Sequence, residues 1–211
     1  MLTKTALTQF VIHDIIANRW SPLAFDANRA VTHEQILTLL EAARWAPSCN
    51  NAQPWRYLVF NKTTAIEPWE KAFSCLAEGN QIWVKNAPVL LIATTHNFFT
   101  HNGKPNRWAQ YDCGAASENI CLQATSMGLL VHQMGGFDPQ KAHELFGIPN
   151  DFTCMSMIAI GYQADPLILE DKYQERELAD RHRKSLEEVF FVEQWGTIAT
   201  VHHELQTGKN P

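Results

Sequence analysis

Residues 46–55 read Ala46-Pro47-Ser48-Cys49-Asn50-Asn51-Ala52-Gln53-Pro54-Trp55. Two prolines bound a run of small polar side chains, which predicts a loop between a helix and a strand. Ser, Asn and Gln side chains donate and accept hydrogen bonds without charge, so the stretch suits a polar heterocycle better than a metal ion. Pro, Ser and Asn are also ordinary turn residues, and a turn without a ligand is the alternative interpretation.

The segments on either side of this loop carry clear secondary-structure signals. Before it, Thr32 and Gln35 form a capping-box pattern, and apolar residues at helical spacing follow until Pro47. After it, Trp55–Phe60 is short and rich in aromatic and β-branched residues, which predicts a strand. Helices and strands continue to interleave along the chain. The predicted strands are Trp55–Phe60, Ala87–Thr95, Leu129–Gln133 and Met155–Tyr162, and the predicted helices include Thr5–Ala17, Trp108–Met127 and Asp138–Gly147.

This interleaving predicts an α/β or α+β class around a mixed sheet. Ala87–Thr95 is apolar at successive positions, which is typical of a strand buried on both faces. The helix predicted over Trp108–Met127 is apolar on nearly every side, so we expect it in the centre of the fold or in a subunit interface.

The composition predicts one globular domain over residues 1–211, with a loose polar tail from about residue 200. A net charge of −5 argues against a nucleic-acid partner, which requires a broadly basic face. The apolar runs are too short to span a bilayer, so we expect no membrane partner. Five widely spaced cysteines without a C-x-x-C pair indicate reduced thiols in a cytoplasmic protein.

Three further stretches combine basic, hydroxyl or glycine residues in an informative order. They are Arg19-Trp20-Ser21-Pro22-Leu23-Ala24-Phe25, His132-Gln133-Met134-Gly135-Gly136-Phe137-Asp138 and Arg181-His182-Arg183-Lys184-Ser185-Leu186. Together with Ala-Arg-Trp-Ala-Pro-Ser-x-x-Asn-x-Gln-Pro-Trp at 43–55, they resemble, in the same order, the motifs of the FMN-dependent nitroreductase-like family. The resemblance runs from about Asn18 to Val189.

The resemblance implies an α+β fold with a central, mainly antiparallel sheet flanked by helices, in an interlocked homodimer. It further implies FMN at the dimer interface and NAD(P)H as co-substrate, with ping-pong hydride transfer to a small acceptor such as a nitroaromatic or a quinone. No Gly-x-Gly-x-x-Gly follows a predicted strand, so the nicotinamide has no Rossmann crevice of its own. A non-catalytic flavin-binding sensor and other flavin chemistry, such as dehydrogenation or dehalogenation, are the alternatives.

The resemblance also assigns the site residues. Those implied to bind FMN are Arg19, Trp20 through its backbone, Ser21, Pro47, Ser48, Cys49, Asn51, Gln53, Asn80, Met134, Gly135, Gly136, Arg181 and Arg183. Guanidinium groups can clamp the phosphate bidentately, and Ser48, Asn51 and Gln53 come from the partner subunit. The predicted acceptor pocket consists of Asn50, Phe98, Phe99 and Trp108. We expect no catalytic side chain and no metal, because the flavin itself carries the chemistry.

Two residues depart from the family pattern. Leu23 stands where many relatives have Lys or Arg, so one phosphate cation is missing, and Trp20 replaces a usual Arg or His. For Arg181 and Arg183, the alternative is a solvated helix face beside Glu175, Glu177 and Asp180.

Two rival chemistries use other residues. A thiol enzyme would pair Cys49 or Cys113, the latter beside Asp112, with one of the histidines His96, His101 and His132. A metal site would use His202, His203 and Glu204, although adjacent residues seldom point at one ion.

Overall fold

The computed structural model describes residues 2–198. The strands of this part are β1 Trp55–Asn61, β2 Val89–His96, β3 Leu130–Met134 and β4 Phe152–Gly161. The helices are α1 Asp14–Asn18, α2 His33–Arg44, α3 Ile66–Phe73, α4 Glu78–Val84, α5 Ala109–Ser126, α6 Pro139–Phe146, α7 Asp171–Leu178 and α8 Leu186–Val189. Short 3-10 turns occupy Cys49–Asn51 and Pro166–Ile168.

The four strands form an antiparallel sheet in the order β1-β2-β4-β3. In β2, every residue except His96 is buried, as its continuous apolar run predicts. Leu90 and Ile92 face one apolar cluster, whereas Leu91 and Ala93 face another. The sheet is therefore the middle layer of the fold, and each of its faces needs a cover of helices.

Different helices cover the two faces. On one face, Leu39 of α2 and Ile120 of α5 lie in the same cluster as Leu91. On the other face, Trp69 of α3, Trp83 of α4 and Ala142 of α6 share a cluster with Leu90. This arrangement confirms the predicted α+β class with a mainly antiparallel sheet flanked by helices.

The clearest local signals are confirmed by the structure. The Thr32–Gln35 capping box opens α2. Asp138 caps α6 ahead of Pro139, and Gly147 ends α6 in the left-handed conformation with φ 62°. The predicted helix over Thr5–Ala17 is wrong, because the helix in this region covers only Asp14–Asn18. Phe10 and Ile16, whose helical spacing supported the prediction, are 56% and 51% exposed, so they have little surface to pack against within the subunit.

The chain divides into two compact units, Met1–Ala179 and Asp180–Pro211. The first unit contains the sheet and helices α1–α7. In the second unit, a Ser185–Glu188 capping box opens α8, and the rings of Phe191 and Trp195 lie 5.0 Å apart. The single domain over 1–211 stays a prediction, and the predicted loose tail lies outside the described residues. None of the described helices is long and apolar enough to cross a membrane.

Candidate functional site

The polar stretch between α2 and β1, residues 46–54, is called the Ser48 loop here. Three of its non-glycine residues have left-handed backbone conformations: Asn50 and Asn51 with φ 53°, and Gln53 with φ 46°. The left-handed conformation is unfavourable for residues other than glycine, and it is enriched at functional sites. Ser48 Oγ accepts the Gln53 N–H at 3.0 Å, and the Gln53 side chain donates to the carbonyl and the amide oxygens of Asn51. Several polar groups of the loop therefore form hydrogen bonds with one another.

Long-range hydrogen bonds fix the Ser48 loop to the fold. The His96 N–H donates to the Pro54 carbonyl at 2.9 Å. The Cys49 N–H donates to Asp112 Oδ2 at 3.1 Å. Asp112 lies in the first turn of α5 and is only 3% exposed. A buried carboxylate needs hydrogen-bond donors around it. The Cys49 N–H is one donor to Asp112, and Asp112 in turn holds the loop against α5.

The second polar stretch, residues 19–25, is called the Arg19 loop here. The Arg19 guanidinium lies 3.6 Å from Glu118 Oε1 of α5 and 3.4 Å from Ser21 Oγ. Ser21 is exposed, whereas Trp20 is buried beneath the Lys4 ammonium, which lies 4.9 Å from the ring centroid. Arginine and hydroxyl donors are thus brought together at one surface, as a phosphate group requires.

Leu23, the departure from the family pattern, does not face that surface. Its side chain is 3% exposed and belongs to the apolar cluster beneath the sheet. A leucine in this position therefore contributes core packing to the subunit.

A buried glutamate and a half-buried histidine hold the Arg19 loop in place. Glu177 of α7 accepts the Leu23 N–H at 2.7 Å and the Ala24 N–H at 3.3 Å. His132 of β3 donates from Nδ1 to the Pro22 carbonyl at 2.7 Å. Burial raises the pKa of Glu177 and lowers the pKa of His132, because burial disfavours the charged form of either group.

The glycine turn after β3 meets the start of α4. Asn80 Nδ2 donates to the Gly136 carbonyl at 2.9 Å, and the Ala77 N–H donates to the same oxygen at 3.0 Å. A Cβ atom at position 136 would lie 2.7 Å from Asn80 Nδ2, so glycine permits this contact. At Gly135 no atom lies within 4 Å of the corresponding position, and space is open beside the turn. The Met134 side chain, by contrast, is buried in the core.

The Ser48 loop and the glycine turn both lie toward the side where β2 ends, but at opposite edges of the sheet. Met134 pairs with Met157, which pairs with Ile92 in the middle of β2. Trp55, which follows the Ser48 loop, pairs with Thr95 near the end of β2. β3 and β2 both run antiparallel to β4, so Met134 also ends its strand toward this side. The segment between β2 and α5, which contains the predicted acceptor-pocket aromatics, begins there as well.

In that segment the predicted pocket residues differ in exposure. Phe98 and Trp108 are 40% and 43% exposed, whereas Phe99 is 6% exposed and its ring lies 6.3 Å from that of Trp108. Asn50 of the Ser48 loop is exposed. Phe98 and Trp108 therefore leave ring surface exposed to solvent, whereas Phe99 is buried.

Arg181 and Arg183 lie in the second unit, in an irregular segment after α7. The Arg183 guanidinium donates to the His182 carbonyl at 2.8 Å. The alternative of a solvated helix face is wrong in two respects, because α7 ends at Leu178 and Glu177 is 1% exposed.

The rival chemistries receive little support from the described residues. Burial raises the pKa of the Cys113 thiol to about 11, which keeps it protonated and weakly nucleophilic. His96 pairs with Asp151 at 2.8 Å rather than with a cysteine. Within residues 2–198, no cluster of three His, Cys, Asp or Glu residues is arranged to hold a metal, and the proposed ligands His202, His203 and Glu204 lie outside this range.

Sequence reasoning missed the residues that position the two loops. Asp112 had a signal, because a carboxylate on a helix that is apolar on nearly every side needs a buried partner. No sequence signal marked Glu177, because its neighbours in α7 are charged and its burial depends on the loop packed against it.

Comparison with known protein families and sequences supports the family resemblance that the motifs predict. The profile of the Nitroreductase family matches residues 16–162. The chain is 22% identical over 194 residues to the major NAD(P)H-flavin oxidoreductase of Aliivibrio fischeri, covering 74% of this chain and 88% of that protein.

Solved structures agree on the fold. A crystal structure of an oxidoreductase containing FMN has a TM-score of 0.86 and 34% identity, covering 93% of this chain and 99% of that chain. An FMN-dependent nitroreductase from Clostridium difficile R20291 has a TM-score of 0.61 and 21% identity, covering 72% of this chain and 87% of that chain, and it supports the fold alone. The family profile spans well over half of the residues, and the chain therefore belongs to the nitroreductase family.

Proposed function

We propose that this protein is an FMN-dependent oxidoreductase that uses NAD(P)H to reduce a small acceptor, such as a nitroaromatic or a quinone, in a ping-pong reaction. The observation that carries the proposal is the glycine turn at the sheet end, where Asn80 binds Gly136 and space is open beside Gly135. The Asn80 amide and the open space beside the glycine turn suit a flat, hydrogen-bonding ring.

The residues of the first unit fit the chemistry of FMN. Arg19 and Ser21 offer a cation and a hydroxyl at one surface for a phosphate. The Asn80 amide and the backbone around Gly135 and Gly136 offer donors and acceptors for the ring. Arg181 and Arg183 of the second unit are proposed as further phosphate-binding residues.

The partner subunit would contribute the Ser48 loop. Its proposed contacts with FMN come from Pro47, Ser48, Cys49, Asn51 and Gln53, and Trp20 and Met134 contribute through their backbones. Hydrogen bonds within the loop and to Asp112 hold these side chains in a defined arrangement before any ligand arrives. Preorganisation of this kind lowers the entropy that binding must overcome.

FMN would accept hydride from NAD(P)H and pass electrons to the acceptor. The chain's own residues bind and orient the reactants, and no side chain needs to act as acid or base, since water can supply the proton. Asn50, Phe98 and Trp108 would line the acceptor pocket, where exposed rings can stack on a flat molecule, with Phe99 behind them.

The homodimer is part of the same proposal. A groove of about 460 Å³ is lined by residues of α1, α2 and α5 and by Trp45, which is 73% exposed. Tyr111 of α5 is 80% exposed, although the buried residues of that helix pack on α2 and the sheet. An exposed aromatic and apolar face on a central helix is typical of a subunit interface. A stable monomer on sizing in solution, with FMN tightly held, would contradict a site shared by two subunits.

A cytoplasmic location also belongs to the proposal. All five cysteines are free thiols, which is the usual state in a reducing compartment.

The first experiment is to purify the protein and identify its chromophore. We expect a yellow protein that releases FMN rather than FAD when denatured, and that oxidises NADH or NADPH steadily with a quinone or nitroaromatic acceptor. A protein that is colourless and takes up no added FMN would refute the proposal. Tight FMN binding without turnover would indicate a flavin-binding sensor instead.

The second experiment tests the phosphate assignment. We expect Arg183→Ala to weaken FMN retention by about tenfold or more, because a guanidinium–phosphate contact is lost. Lys184→Ala, in the next position, is the matched control and should retain FMN. Equal retention by the two variants would contradict the role of Arg183.

A further inference from the structure

Glu177 is a charged residue with almost no access to solvent. Its side chain is 1% exposed, at the end of α7, and it is one of two carboxylate residues among the buried polar residues of the described chain. The other is Asp112. Each of the two accepts a backbone N–H from a candidate cofactor loop.

Burying a carboxylate is unfavourable by several kcal/mol unless its oxygens receive hydrogen bonds. Burial raises the pKa of Glu177, and the N–H groups of Leu23 and Ala24 act against that rise. Oε2 binds the Leu23 N–H and Oε1 binds the Ala24 N–H, so both oxygens are used. A carboxylate can accept from two successive amides at once, which an amide or hydroxyl side chain cannot do as well.

The two amides would otherwise have no water to bind. Leu23 and Ala24 are 3% and 0% exposed, and their side chains lie in the apolar cluster. Buried backbone donors need partners, and a loop supplies none through regular secondary structure. The Glu177 carboxylate is therefore what allows the Arg19 loop to enter the core at this point.

The position of the phosphate-binding groups follows from this contact. Ser21 lies two residues before Leu23, and Arg19 lies four before it. Pro22 lies between Ser21 and Leu23, and His132 donates to its carbonyl at 2.7 Å. With both ends of Pro22–Ala24 tied to the fold, the exposed Ser21 hydroxyl and the Arg19 guanidinium have little freedom to move.

Lys4 reinforces the same junction. Its ammonium donates to the carbonyls of Glu177 and Ala179 at 2.7 and 2.5 Å, at the C-terminal end of α7. A cation at this end of a helix is favoured by the helix dipole. The backbone that carries Glu177 is thereby held, and Arg181 and Arg183 follow it by four and six residues in the chain.

We infer that Glu177 is a positioning residue of the cofactor site: its buried carboxylate holds the Leu23 and Ala24 N–H groups and so sets the phosphate-binding geometry of Arg19 and Ser21. This inference rests on the proposed FMN-dependent function. It assigns Glu177 no contact with the cofactor.

The test uses FMN and riboflavin, which differ in the phosphate alone. In Glu177→Gln, one oxygen is replaced by an NH₂ group that faces a backbone N–H, so the loop is displaced. We expect the ratio of FMN affinity to riboflavin affinity, measured by quenching of flavin fluorescence in the full-length protein, to fall by about tenfold. Glu175→Gln, on the exposed side of α7, is the matched control and should keep the wild-type ratio.

The ratio separates positioning from a general loss of stability. A partly unfolded protein loses affinity for both flavins together, and that result, with an unchanged ratio, would overturn the inference. If Glu177→Gln does not fold, Glu177→Asp keeps the charge and shortens the side chain by about 1.5 Å, one carbon–carbon bond. The same fall in the ratio is expected there, and a wild-type ratio in a folded Glu177→Asp protein would also overturn the inference.

The same titrations distinguish failure of this inference from failure of the proposed function. Wild-type protein that binds neither flavin refutes the proposed function, and the inference with it. Wild-type protein that prefers FMN, together with a Glu177→Gln variant that prefers it equally, refutes the inference and leaves the proposed function standing.

Discussion

The Arg19 loop and the Ser48 loop are both candidates for the same cofactor, yet they are held in different ways. The Arg19 loop depends on partners far away in the chain: Glu177 and His132 bind positions separated from them by 154 and 110 residues. The Ser48 loop binds mainly to itself, with bonds between residues two to five positions apart. It has two long-range bonds, from the Cys49 N–H to Asp112 and from the His96 N–H to Pro54.

Their backbones differ accordingly. The Arg19 loop contains no left-handed residue, whereas the Ser48 loop has three that are not glycine. A loop that enters the core must match the packing around it, and it is satisfied by buried groups from several elements. A loop that stays near the surface can be shaped by its own side chains, at the expense of local strain. We therefore expect the two loops to respond to different substitutions.

The largest expected effect is at Asp112. In Asp112→Ala, the Cys49 N–H loses its buried acceptor, and we expect the free energy of unfolding to fall by about 1–3 kcal/mol. Urea denaturation measures this loss. Hydrogen exchange should accelerate more at the Cys49 amide than at the Leu23 and Ala24 amides, because Glu177 still binds the latter two. Asp112→Asn keeps one acceptor oxygen and should lose less stability. Equal acceleration in both loops would show that they are not held independently.

A smaller effect is expected from the serine of each loop. Ser48→Ala removes the acceptor of the Gln53 N–H and should lower the free energy of unfolding by about 1 kcal/mol. Ser21→Ala removes an exposed hydroxyl with one long contact to Arg19, and its effect on the apoprotein should stay within about 0.5 kcal/mol. If thermal or urea denaturation gave the same loss for both, the Ser48 loop would not be held by its own side chains.

The smallest expected effect depends on pH and concerns the Arg19 loop alone. Burial lowers the pKa of His132 from its usual 6.5, so the unfolded chain takes up a proton more readily than the folded chain. The contribution of His132 to stability is complete above pH 6.5 and is lost as the pH falls toward its folded-state pKa. His132→Gln can still donate to the Pro22 carbonyl and should flatten this part of the stability profile. An unchanged slope in that variant would assign the acid sensitivity to other groups.

Local sequence was sufficient to predict the structure wherever a few neighbouring residues determine it. The Thr32 capping box, the Asp138-Pro139 start of α6 and the left-handed Gly147 at its end are all confirmed. The apolar run of β2 correctly predicted a strand covered on both faces. The helix over Thr5–Ala17 failed because helical spacing without a packing partner is too weak to form a helix.

In the candidate site, too, some features follow from local sequence and others depend on tertiary packing. Its polar loop, its glycine turn and its arginines are visible in the sequence as unusual clusters of residue types. The burial of Glu177, the contact of Asp112 with Cys49 and the inward orientation of Leu23 were decided by tertiary packing alone. The physical reason is that burial depends on which distant segments meet, so the same carboxylate would be a solvated surface charge without the loop that covers it.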